Sequence, residues 1–157
     1  MSHGGTQYFE DFKVSMVNAV HGSGINDSDS ENLVYGGIAS GLILKFNDDI
    51  TVYHAGDTSV FGDMSLISDI YKPDLCMIPI GDHFTMGVDE AVYATKLIKA
   101  KTYIPIHYGT FPVLTGDPNE FKKRDETHGN SKVIIMNVSN KHLRAHETVL
   151  DLVCRLL

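Results

Sequence analysis

From Met64 onward the chain alternates amphipathic helical patterns with short, continuous apolar runs, and this alternation constrains the fold more than any other feature. Met64, Ile67 and Tyr71 recur at helical spacing until Pro73 stops the run. Leu75 to Ile80 reads as a buried strand. Val88, Ala91, Val92, Thr95 and Ile98 share one helical face, and Thr102 to Ile106 reads as a second buried strand. Asp117-Pro118-Asn119-Glu120 supplies an N-cap, a proline at the first helical position and a glutamate at the third. Lys132 to Val138 returns as a strand. Such strand-helix-strand repetition implies parallel pairing and an α/β fold, in which the residues just after each strand gather on one ligand-binding edge.

Upstream the pattern changes. Phe12 to Val20 reads as a half-buried strand in which Phe12, Val14 and Met16 alternate with Lys13 and Ser15, ending at His21-Gly22. Residues 22–37 are rich in Gly, Ser, Asn and Asp, and are expected to form the most mobile internal segment, an acidic loop. Ser40 to Phe46 and Ile50 to His54 flank Asn47-Asp48-Asp49, a composition suited to a hairpin. Gly56 then allows a sharp turn that leaves Asp57 and Thr58 at the strand exit. The tail from His142 to Leu157 fits a terminal helix better than a strand.

The length of 157 residues suits one domain with its own core. Thirteen basic against twenty acidic side chains, a net charge of -7, argue against a nonspecific grip on nucleic acid or anionic membrane. Lys122, Lys123 and Arg124 cluster on a helical pattern and read as a solvated face. Cys76 and Cys154 lie in apolar runs without metal-site spacing, as small hydrophobes of a reducing compartment do. Cytoplasm is the expected location, since no apolar run approaches the roughly 20 residues of a membrane span and no leader pattern opens the chain.

His21, Asp57, Asp82, His83 and His107 all fall at strand exits. Imidazoles and a carboxylate there are the ligand types of zinc, manganese or iron. A lone Gly-Asp-Thr is more often a helix cap than a ligand site, and a single histidine is more often structural; it is the shared edge that raises these residues.

The motifs in order are His21-Gly22, Tyr35-Gly36-Gly37, Tyr53-His54-Ala55-Gly56-Asp57-Thr58, Phe61-Gly62-Asp63-Met64, Pro79 to Gly87 and Pro105 to Pro112. Together they resemble the metallo-β-lactamase superfamily, and within it the small metal-dependent hydrolases related to ascorbate-6-phosphate lactonase. The resemblance implies the C-terminal part of the four-layer αββα sandwich, as a single partial domain over residues 1–157. It implies metal ligation by His21, Asp57 and His107, with Asp57 bridging, and catalytic roles for Asp57 and His83. His54, Asp82 and Thr85 would stand near the pocket. The implied cofactor is a divalent metal, zinc first with manganese or iron as alternatives, up to two ions. The implied reaction is hydrolysis of a small ester, lactone or phosphorylated compound by a metal-bound hydroxide.

The family's first metal motif, His-x-His-x-Asp-His, is absent from the sequence. Three readings stay open: a fragment of a longer protein, half a site completed by another chain, or a degenerate domain that binds or scaffolds without catalysis. In the parent architecture a second sheet covers the face that would carry Val14, Met16, Leu42, Leu44 and Val52. A homo-oligomer or a separate N-terminal chain is therefore the expected partner, besides the small-molecule substrate.

Overall fold

The structure is a computed structural model, and it describes residues 1–26, 32–128 and 131–136. Its centre is a seven-stranded mixed sheet in the order β1-β2-β5-β6-β7-β8-β9. The antiparallel part comprises β1 (Thr6–Tyr8), β2 (Phe12–Asn18), β5 (Ser40–Phe46) and β6 (Thr51–His54). From β6 the pairing turns parallel, through β7 (Leu75–Pro79), β8 (Thr102–Ile106) and β9 (Lys132–Val133). Helices α1 (Met64–Tyr71), α2 (Val88–Ile98) and α3 (Pro118–His128) make the three crossovers.

The crossovers stop where local chemistry dictates. Lys72 and Lys99 take left-handed backbone at the ends of α1 and α2, and each N–H closes on the carbonyl four residues back, Ser68 and Thr95. Asp117 accepts the Asn119 N–H at 2.8 Å ahead of α3, so the N-cap read from sequence forms as expected. The hairpin at residues 47–49 also forms, with Asp49 in left-handed backbone and β5 pairing β6 antiparallel. The basic cluster is a solvated, paired face: Lys122 meets Glu126 at 3.8 Å and Arg124 meets Glu120 at 3.1 Å.

All three helices cover one face of the sheet. Ile43, Tyr53, Cys76, Ile78 and Tyr103 from alternate strand positions pack there with Met64, Ala91, Ile98 and Phe121 from the helices. The Tyr103 hydroxyl donates to the Thr95 carbonyl and accepts the Ala100 N–H, tying β8 to the end of α2. The opposite face carries Val52, Leu75 and Ile104 with Leu44, Phe46, Met77 and Ile106 around them. No described helix lies over this second face, and Leu42 on it is exposed.

On β2 Phe12, Val14 and Met16 are half-buried on the face away from the helices, as expected, with Val14 opposite Leu44 and Met16 opposite Leu42, while Ser15 and Val17 are buried on the helix-covered face. The Ser15 hydroxyl meets that of Thr6 at 2.7 Å. Strand β1, for which the sequence gave no pattern, pairs with the edge of β2. The expected loop at 22–37 contains a two-stranded ribbon, β3 (Gly24–Asn26) against β4 (Leu33–Tyr35), whose Ile25 opposes Val34. The strand expected from Lys132 to Val138 forms only as β9 over Lys132–Val133, with residues 134–136 outside it, and positions 137–138 and the proposed terminal helix lie outside the described residues.

Candidate functional site

The exits of β6, β7 and β8 lie side by side because the three strands run parallel and in register. Asp57 follows β6 after the Gly56 turn, where the glycine has φ 70° and a Cβ would stand 2.6 Å from the Ser40 carbonyl oxygen. His107 follows β8 directly. Its Nε2 lies 3.6 Å from Asp57 Oδ2, with the imidazole one-quarter exposed and the carboxylate half exposed. Two ligands bound to one zinc ion at 2.0–2.2 Å and a tetrahedral angle stand roughly 3.4 Å apart, so this pair has the spacing of a shared ion.

Behind the ring the fit is tight. A Cβ on Gly81 would collide with the His107 carbonyl oxygen and stand 2.8 Å from His107 Nδ1. That Nδ1 is buried and has no hydrogen-bond partner among the described residues. A buried ring nitrogen without a partner is costly. The exposed side of the ring, by contrast, faces the Asp57 carboxylate.

His21 follows β2 and is exposed. Its Nδ1–H donates to the Gly22 carbonyl at 2.6 Å, which leaves the Nε2 lone pair available to a metal. His54 has the opposite tautomer. The Gly56 N–H donates to His54 Nδ1 at 3.0 Å, so the proton of the neutral ring sits on Nε2. Burial lowers the His54 pKa below its ordinary value, with the Asp57 carboxylate opposing that shift. His54 is thus a neutral hydrogen-bond donor three residues before Asp57, not a ligand through Nδ1.

Asp82 and His83 follow β7 and are exposed. Asp82 accepts the His83 N–H at 2.8 Å through one oxygen and the Thr115 hydroxyl at 3.4 Å through the other. The His83 ring meets Phe84 edge-on at 4.4 Å. Asp82, His83 and His107 all have left-handed backbone, with φ of 62°, 54° and 57°. Among the described residues the other three non-glycine residues in that region are Asp49 in a turn and Lys72 and Lys99 at helix ends, where it is ordinary. Strain at consecutive non-glycine residues is characteristic of functional loops.

The structure therefore brings Asp57 and His107 together, while His21 and His83 occupy the same edge without joining them. Among the described residues no three His, Cys, Asp or Glu side chains gather closely enough to hold one ion. The chemistry and spacing of Asp57 and His107 fit a divalent metal. Sequence reasoning named Thr58 and Gly81 within its motifs but gave neither a role. A glycine between an apolar strand and a polar pair, and a threonine after the key aspartate, were the signals available for them.

The chain belongs to the metallo-β-lactamase superfamily: residues 1–108 match the family model described as Beta-lactamase superfamily domain. It is similar to the UPF0173 metal-dependent hydrolases. It is 53% identical over 123 residues to one from Koribacter versatilis, covering 78% of this chain and 52% of the relative. It is 48% identical over 136 residues to one from Methanosarcina barkeri, covering 87% of this chain and 58% of that relative. Among solved structures it resembles Igni18, a metallo hydrolase from Ignicoccus hospitalis, with 35% identity and a TM-score of 0.73 over 87% of this chain and 56% of the other. The chain thus spans little more than half the length of these relatives. Among the described residues no helix is long and apolar enough to cross a membrane.

Proposed function

We propose that this chain supplies part of the divalent metal centre of a hydrolase acting on a small ester, lactone or phosphorylated compound. The observation that carries the reading is the Asp57–His107 pair, 3.6 Å apart at the shared strand edge, with the far nitrogen of the histidine buried and without a partner among the described residues. His21, with Nε2 available, is the third ligand on this reading. A bound zinc, manganese or iron ion would polarise the scissile carbonyl or phosphoryl oxygen and acidify water. His54 presents an Nε2–H donor, and His83, exposed on its strained loop, is the imidazole placed to meet substrate.

Completion of the site belongs to the whole protein. We assign the apolar face around Leu42, Leu44 and Met77 to a covering layer, either the part of the relatives' length this chain does not span or a second copy of the chain. The free, fully buried Cys76 thiol suits a reducing, cytoplasmic setting.

The test is metal content and affinity of the purified chain, with and without its covering partner, alongside hydrolysis of an ester, lactone and phosphodiester panel. Asp57→Ala and His107→Ala are expected to lower zinc affinity by more than ~100-fold, beyond the range for residues that only support a ligand. Unchanged affinity in both variants would refute the centre. Tight metal binding without turnover in the completed protein would favour the binding or scaffold reading instead.

A further inference from the structure

The loops that carry the candidate ligands are not joined by the sheet alone. Strand β5 lies between β2 and β6, so the exits bearing His21 and Asp57 are two strand spacings apart, roughly 9.6 Å. Donors to one metal centre need to approach more closely than that. Thr58, wholly buried although it follows the exposed Asp57, spans the gap. Its hydroxyl accepts the Val20 N–H at 2.9 Å and donates to the Ser59 carbonyl at 2.8 Å. The Ser59 N–H returns to the Val20 carbonyl at 3.0 Å. The Thr58 carbonyl accepts the Met86 N–H at 3.1 Å, and the Met86 carbonyl accepts the Asp82 N–H at 3.0 Å. One residue thus links the loop of His21, the loop of Asp57 and the loop of Asp82 and His83.

The geometry points to Thr58 as the positioning residue that sets the distance between His21 and Asp57, acting on the metal through those two side chains and touching neither metal nor substrate. The inference rests on the metal-centre reading above. The Thr58 hydroxyl holds the Val20 N–H while the Ser59 N–H holds the Val20 carbonyl, so loss of the hydroxyl removes one of the two bonds to the His21 loop and loosens it, while the sheet, which does not depend on it, stays paired. Valine fills the same space but neither donates nor accepts there, whereas serine keeps the oxygen.

The experiment compares the parent chain with Thr58→Val, Thr58→Ser, Asp57→Ala and His107→Ala. Zinc affinity is read by competition with a chromophoric chelator, ligand geometry by the visible spectrum of the cobalt(II) form, and the clasp itself by hydrogen exchange at the Val20 amide. Thr58→Val is expected to weaken zinc binding about 10- to 100-fold, the range for a residue that orients a ligand. It should also alter the cobalt spectrum and release the Val20 amide, and serine should restore all three. Parent-like affinity and spectrum in Thr58→Val, while Asp57→Ala and His107→Ala lose metal, would overturn the inference and leave the metal centre standing. Metal binding indifferent to Asp57 and His107 would overturn the centre and the inference with it. If Thr58→Val does not accumulate folded, Thr58→Ala with serine rescue is read by the same criteria.

Discussion

Strands β6, β7 and β8 start and finish in contrasting ways. At their starting edge Asp74 accepts the Thr51 N–H at 3.0 Å and the Lys101 ammonium at 2.7 Å. Its own N–H donates to the Thr51 carbonyl and its carbonyl accepts the Thr102 N–H, so one residue fastens β7 to both neighbours. At the finishing edge, Asp82, His83 and His107 hold left-handed backbone, and Thr85 Oγ1 and His107 Nδ1 are buried without partners among the described residues. The same strands thus end once in satisfied polar groups and once in strained and unsatisfied ones. On the metal-centre reading proposed above, the second edge stays unrelaxed because its groups are arranged for something outside the chain.

The comparison requires that the strands between the edges be equally well packed. Ile78 lies within β7, fully buried beneath the helices. Ile78→Ala is expected to cost about 2–5 kcal/mol in urea unfolding. A loss under about 1 kcal/mol would mean that β7 is loosely held, and the strain at its end would then carry no functional meaning.

Strain at the finishing edge is the next point to break. His83→Gly should stabilise the chain by about 0.5–1 kcal/mol, since glycine adopts φ 54° without a steric penalty. Lys72→Gly, at an ordinary helix end, should gain a similar amount. The two differ in function: only His83→Gly should impair turnover in the completed protein. Equal turnover in both would demote His83 to a loop residue.

The smallest effect belongs to the starting edge. Burial alone would raise the Asp74 carboxyl, but the Lys101 ammonium and the Thr51 N–H outweigh it and hold the pKa below its ordinary value. A depressed carboxyl stabilises the fold above its unfolded pKa of about 3.9, and that contribution is lost as pH falls through the lower folded value. With 30% of the side chain exposed, the ion pair is screened. Asp74→Asn should cost about 0.5–1 kcal/mol at neutral pH and flatten the decline in stability below about pH 4. An unchanged acid limb in thermal unfolding would show that Asp74 is not the fastening the geometry suggests.

By itself the sequence determined what depends on neighbours along the chain. Spacing of apolar residues placed α1, α2, β7 and β8, with β8 covering Thr102–Ile106 as read, because a helix face and a buried strand are written into consecutive residues. Asp57 and His107 were legible for the same reason, each standing directly beyond a clear strand. Tertiary structure decided what depends on residues far apart. The Thr6–Ser15 hydroxyl pair joins β1 to β2, and the buried Nδ1 of His107 sits where a side chain on Gly81 would otherwise stand. The bridge from Thr58 to Val20 crosses 38 positions of sequence, and no local pattern encodes it. A period of 2 or 3.6 residues reports a side chain's direction from its own element, but not which distant backbone group will meet it, and the candidate site is built from such meetings.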